Sequence, residues 1–318
     1  MRLWNRHATV REAARLLSMA LFVVLAISDA GAAAAAQKSF ATPDDAVNAL
    51  VQAVKAHDRS ATLAVLGDAG EWISSGDAIA DKAKAEGFLA DYAEKHAIAI
   101  DGDKATLTIG SDEFPFAFPL VKRGDQWRFD TAAGKEELLA RRIGANELSA
   151  MKVLQAIVDA EQDYAAADPL GDGLPAYAQR FMSRPGKRDG LYWPAKAGEP
   201  QSPLGVLVTQ AADEGYKQGE KQSGRTPTPY HGYLYRMLKG QGKNAGSGAF
   251  DYVVHGRGIA GFAVVAYPAR YANSGIMTFI VNQDGKIYQA DLGPGTKTKA
   301  EAMQRYDPGK GWTVVEPK

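Results

Sequence analysis

Residues 252–293 read YVVHGRGIAGFAVVAYPARYANSGIMTFIVNQDGKIYQADLG, and Gly256, Gly258 and Gly261 near their start match the G-x-G-x-x-G string. Such a string can cradle a dinucleotide pyrophosphate if a strand precedes it, a helix opens at its last glycine, and an acid follows about 20 residues on. The segment DYVVH satisfies the first condition. FAVVAYP does not satisfy the second, because β-branched and aromatic residues closed by Pro268 read as a strand. The nearest fitting acid, Asp284, stands in a turn sequence. The glycines are therefore expected to mark a tight connection between strands. No nucleotide cofactor is expected.

Other glycine and acidic clusters fail in similar ways. In KGQGKNAGSG (239–248) Asn244 follows Gly242-Lys243 where a phosphate-binding loop needs Ser or Thr, so a mobile surface loop is expected. In Asp168-Pro-Leu-Gly-Asp172-Gly173 the middle ligand of a calcium loop is Leu170, and no distal Glu follows. Asp168 is expected instead to cap or turn the chain. His57, His96, His231 and His255 are too scattered for zinc-ligand spacing, and no metal is expected. The only nucleophilic set that can be sketched is Ser274, His255 and Asp251, without the strand, elbow and helix of a hydrolase nucleophile. No catalytic residue is assigned.

The tyrosines are more informative. In HGYLYRML, alternation puts His231, Tyr233, Tyr235 and Met237 on one face of a strand, with Leu234, Arg236 and Leu238 on the other. Tyrosine offers an apolar body and a polar tip, which suits both sheet packing and a recognition surface. If the strand is a recognition surface, Tyr233, Tyr235 and Arg236 are its binding residues.

These residues need elements to hold them. Thr42-Pro43-Asp44-Asp45 opens a helix ending near His57, and further helices are expected over 61–66 and 82–95. HAIAID and KATLTIG flank Asp101-Gly102-Asp103, and FAFPLVKR and QWRFDT flank Gly124-Asp125, both turn sequences of antiparallel hairpins. An apolar stripe over 135–167 predicts one long helix, or two joined near Gly144. A Pro- and Gly-rich connection follows over 168–230. Short helices are expected there near 176–182 and 204–214, and Tyr177, Phe181, Tyr192 and Trp193 argue that it is ordered. Strand patterns occupy the rest. The expected class is α+β, with a small domain over 37–133 and a larger one over 134–318.

The first 36 residues differ from the remainder. Arg2, Arg6, Arg11 and Arg15 precede the apolar run Leu16–Ile27, and Gly31-Ala-Ala-Ala-Ala-Ala36 follows. A basic start, a short apolar core and a small-residue site describe a secretory leader cleaved after Ala36. Twelve apolar residues are too few for the roughly 20 that span a bilayer, so no anchor is expected after cleavage. The expected location is the periplasm. The chain has no cysteine and 37 basic against 37 acidic residues among 318. Stability without disulfides is implied, and nothing in the charge balance points to nucleic acid.

GKRDGLYWPAKAGEPQSPLG, YHGYLYRMLKGQG and GFAVVAYPARYANSGIMTFIVNQDGKIYQADLG resemble the bacterial domain of unknown function 2950 family, and TPDDAVNALVQAVKAHD extends the likeness over nearly all of 37–318. The resemblance implies an exported envelope protein and no particular activity. The C-terminal half is also similar in plan to the headpiece of type IV pilins and pseudopilins, without their apolar N-terminal helix. Two functional expectations remain. One is a non-enzymatic binding or assembly component whose partner is another envelope protein. The other is an envelope hydrolase with its site between 168–230 and the C-terminal sheet.

Overall fold

The computed structural model describes residues 37–67, 71–171, 173–196, 198–216 and 228–316. The predicted leader and Asp172 lie outside the described residues.

Helices α1 (Pro43–Lys55), α2 (Arg59–Leu66) and α3 (Ala78–Glu94) each begin on a side-chain cap. Thr42 Oγ1 accepts the Asp45 N–H at 3.1 Å, and the Asp58 and Asp77 carboxylates accept those of Ala61 and Ala80 at 2.9 and 3.1 Å. Each cap satisfies a donor that the first helical turn would leave orphaned. Strands β1 (His96–Asp101), β2 (Lys104–Ile109), β3 (Phe114–Pro115), β4 (Leu120–Arg123) and β5 (Gln126–Phe129) form an antiparallel sheet in the order β1-β2-β4-β5, with β3 on β2. Asp101 pairs with Lys104 and Arg123 with Gln126, so Gly102-Asp103 and Gly124-Asp125 are the two-residue turns. Alternate residues Ala105, Leu107 and Ile109 turn inward onto Val47, Leu50 and Val51 of α1, making the first core.

Helix α4 (Thr131–Ala167) runs 37 residues without interruption at Gly144. Leu138 and Leu139 pack on the first core, and Val153, Leu154, Ile157 and Val158 enter a second one. Asp168 ends the helix in the left-handed conformation (φ 40°), its carboxylate accepting the Gly171 and Gly173 N–H groups at 3.1 and 2.8 Å. That carboxylate turns the chain, as its sequence context suggested.

The connection beyond α4 is ordered by its aromatics. Tyr177, Phe181, Tyr192 and Trp193 all pack on the second core. The helix expected over 176–182 does not form. Tyr177 donates its N–H to the Gly258 carbonyl and Tyr192 donates to Phe181, both at 2.8 Å, which holds the backbone extended. Helix α5 (Gly205–Asp213) forms where its pattern placed it.

The C-terminal sheet joins β6 (Tyr233–Leu238), β9 (Ala263–Pro268), β10 (Met277–Asn282), β11 (Tyr288–Asp291) and β13 (Thr313–Val314) in the order β13-β11-β10-β9-β6, all antiparallel. One face (Tyr233, Val264, Ala266, Phe279) meets α4, and the other (Leu234, Val265, Tyr267, Ile280) meets Ala300 of α6 (Thr296–Ala302). Burial on both faces explains why β9 reads as an unbroken apolar run. A smaller sheet sets β7 (Gly240–Gln241) between β8 (Phe250–Asp251) and β12 (Arg305–Tyr306). The 239–248 segment is therefore pinned rather than mobile: Gln241 is fully buried, and Asp307 accepts the Asn244 N–H at 2.8 Å. The chain is α+β. Among the described residues no helix is long and apolar enough to cross a membrane.

Candidate functional site

The Ser-His-Asp set is not assembled. Ser274 is fully buried, donates its hydroxyl to the Arg270 carbonyl at 3.2 Å and accepts the Arg270 N–H at 3.0 Å. Asp251 is bound to Arg305 at 2.6 Å. His255 stands in the tight turn closed by Val254 and Arg257. Ser274 is engaged within its own loop and Asp251 by Arg305 of β12, and no hydrogen bond joins the three.

The G-x-G-x-x-G stretch is a strand connection, with no helix after it. A Cβ on Gly258 would lie 2.6 Å from the Tyr177 carbonyl oxygen, so glycine permits that backbone pairing. Gly261 has φ 145°, and a Cβ there would meet Gln283 Oε1 at 2.7 Å and the Tyr252 ring at 2.9 Å. Gly261→Ala is expected to cost about 1 kcal/mol or more in urea unfolding, through the forbidden φ and the crowding. An unchanged midpoint would overturn that role, as would saturable NAD binding to the unaltered protein in calorimetry.

The three expected binding residues of β6 have separate fates. Alternation along the strand is as predicted: Tyr233, Tyr235 and Met237 face α4, and Leu234 and Leu238 face α6. His231 is not part of the strand, because it takes a left-handed φ of 49° in the preceding turn and lies 3.2 Å from Glu214. Tyr233 is fully buried, donates its hydroxyl to the Met277 carbonyl at 2.8 Å, and is a core residue. Arg236 donates to the Ala300 and Met303 carbonyls, capping the C-terminal end of α6. Neither can meet a partner while these contacts hold. Tyr233 is thus tied to β10 of its own sheet and Arg236 to α6 on the opposite face, which is not the outward arrangement that a recognition strand would present.

Tyr235 is different. It lines an apolar cavity of about 160 Å3, shared with Val153 and Ile157 of α4, Leu207 and Val208 of α5, and Phe181. Its ring faces the cavity, while its hydroxyl is sealed from solvent and has no hydrogen-bond partner among the described residues. Burial pushes its ionisation well above the ordinary tyrosine range, and the neighbouring Tyr230 and Tyr216 hydroxyls add to that. A buried hydroxyl without a partner costs free energy. The α5 residues were legible as an apolar face, since Leu204, Leu207, Val208 and Ala211 follow helical spacing. What that face covers was not legible, because Tyr235 lies 24 or more residues further along the chain.

Beyond Tyr235 a second cavity of about 510 Å3 lies at the end of β6, among Met237, Lys239, Tyr252, Gly258, Gly261 and Phe262. The segment 178–181 borders both cavities, with Phe181 at the first and Ala178 and Gln179 at the second.

No curated protein and no solved structure matches the chain. The likeness of the C-terminal half to a pilin headpiece thus has no matched structure behind it. The model of one protein family does match, over residues 37–315, and its description is a protein of unknown function, DUF2950. That span takes in every helix and strand from α1 to β13, both cores and both cavities. The chain belongs to the DUF2950 family.

Proposed function

We propose that this protein is an exported, periplasmic binding component of the cell envelope, and that the Tyr235 cavity is where it takes hold of an apolar group of a partner. The observation that carries this reading is the cavity's wholly apolar lining, built by side chains of α4 and α5 with Phe181 and the Tyr230 and Tyr235 rings. Ligand pockets are lined predominantly by apolar and aromatic side chains. The family match begins at residue 37, the first residue after the predicted cleavage, which supports the export reading. The hydrolase alternative loses support from the engagement of Ser274 with Arg270 and of Asp251 with Arg305.

The test joins location to binding. Ala212 follows the lining residue Ala211 on α5 and is exposed, so a photo-crosslinking residue there should leave the fold intact. Fractionated cells should yield a chain starting at or near Gln37 in the periplasm. Illumination should give a discrete adduct that Ala211→Trp, which fills the cavity, removes. Intact chain from Met1 in the membrane pellet would overturn the location. An adduct unchanged by Ala211→Trp would overturn the site. Loss of cellular complementation by His255→Ala, with the adduct intact, would restore the hydrolase reading.

A further inference from the structure

The N-terminal sheet ends in two different ways. At β5 the outer edge is closed, because Phe40 and Trp127 exchange both backbone bonds, at 2.8 and 2.7 Å. At β1 it is open. Strand β1 has β2 as its one neighbour in the sheet, paired residue for residue from His96–Ile109 to Asp101–Lys104 without a bulge. Asp101 and Lys104 flank the two-residue turn, and Gly110 donates to the Lys95 carbonyl, so odd-numbered residues face β2. The backbone N–H and C=O groups of His96, Ile98 and Ile100 therefore point away from the sheet, and none has a partner among the described residues. All of β1 but Ile98 is exposed, Ile100 by 57%.

Monomeric proteins guard such edges with a lysine, a proline or a bulge. The run His96-Ala-Ile-Ala-Ile100 carries none of these. Its pattern instead matches itself. When two copies run antiparallel about a twofold axis at Ile98, all three outward residues are used: Ile98 faces Ile98 and His96 faces Ile100, each pair exchanging both backbone bonds. Lys95 is extended and continues the strand, so it stands opposite Asp101 of the second copy, with Ala97 opposite Ala99. No like charges meet. Moving the axis by one residue leaves an outward residue of each copy unmatched. The Lys95 ammonium also contacts Glu113 at 2.5 Å, but both side chains are more than half exposed, so that bridge is weak and the ammonium can serve both acids.

We propose that this edge is a homodimer interface, in which β1 of a second copy adds antiparallel to β1 with Ile98 on the twofold axis and Lys95 opposite Asp101. The partner is a second copy because the edge complements itself in charge. A pair of short strands buries less than the ~1,600 Å2 of a standard interface, so the dimer should be weak, with a dissociation constant in about the micromolar range. The interface does not involve the Tyr235 cavity, and neither reading rests on the other.

Sedimentation velocity of the chain from Gln37, over about 1–100 μM, should show monomer giving way to dimer as concentration rises. Ile100→Pro tests the ladder, because the Ile100 N–H faces away from β2 and proline there removes no bond within the chain. It should weaken association about tenfold or more, with far-ultraviolet circular dichroism unchanged. Asp101→Lys should weaken association about two- to fivefold, and adding Lys95→Asp to the same chain should restore it. Register is read by oxidation, which is unambiguous in a chain without cysteine. Ala97→Cys mixed with Ala99→Cys should crosslink faster than either variant alone, since the two positions face each other across the axis. If Ile100→Pro does not fold, the charge exchange and the crosslinks decide. A chain that stays monomeric throughout overturns the proposal, even if the edge takes up a foreign strand. So does dimerisation that survives a folded Ile100→Pro or is indifferent to the charge exchange, and so does crosslinking of one cysteine variant alone that outruns the mixture.

Discussion

Unfolding free energy should fall as pH rises from about 4.5 to about 8, and Glu161→Gln should remove that slope. Glu161 lies on α4, fully buried in the second core. One carboxyl oxygen accepts the Ala178 N–H at 2.7 Å, and the other has no partner among the described residues. Desolvation pushes its pKa from 4.5 up to about 8, and the single backbone bond opposes this only in part. Below the unfolded value both states hold the proton, and the contribution to stability is fully present. Between the two values the native state holds a proton that the unfolded chain has lost, so stability declines by up to roughly 1.4 kcal/mol per pH unit. Above the folded value the decline ends, after a total on the order of 5 kcal/mol. The side-chain amide that Glu161→Gln introduces can still accept from Ala178 and does not titrate. Urea midpoints across pH 4–9 for both proteins provide the check. A parallel decline in the variant would show that Glu161 is not its source.

Arg142→Ala should be the more damaging single substitution at neutral pH, by about 3 kcal/mol or more, from three lost hydrogen bonds. Arg142 is 4% exposed and acts as a clamp in the middle of α4. Its guanidinium donates to the Trp72 carbonyl at 2.7 Å, the Ile73 carbonyl at 2.9 Å and Asn273 Oδ1 at 2.6 Å. Removing it leaves three acceptors without their donor, and unsatisfied buried groups cost about 1–3 kcal/mol each. Arg142→Lys should recover only part of the loss, because one ammonium cannot span the planar fork. Chemical unfolding of the three proteins measures both effects. A loss under about 1 kcal/mol for the Ala variant would show the clamp to be dispensable.

Both predictions concern long-range contacts, and it is over such contacts that sequence reading and structure part. Local signals survived folding. Thr42, Gly102-Asp103, Gly124-Asp125 and Asp168 act within a few residues of themselves, through caps and tight turns whose geometry needs no distant partner. The two faces of β6 were legible for the same reason, since side chains on a strand must alternate. That 135–167 is helical followed from its stripe, while its continuity through Gly144 did not.

What failed depended on partners far along the chain. Residues 176–182 look helical alone, yet backbone bonds to Gly258 and Tyr192 draw them out. The 239–248 segment looks mobile until Arg305–Tyr306 pairs with it some 65 residues later. Helix α6 was not foreseen, and it is this helix whose carbonyls engage Arg236. Tyr233 and Tyr235 are two residues apart, on one face and of one type, so sequence cannot separate them. Gly275 and Met277 close around the Tyr233 hydroxyl, while α5 leaves that of Tyr235 unanswered. Most elements, their ends and the alternation of their faces were thus written into the order of residues, because they follow from short-range sterics and hydrogen bonding. Which tyrosine is core and which borders a cavity was settled by packing, because burial is a property of what arrives from elsewhere in the chain.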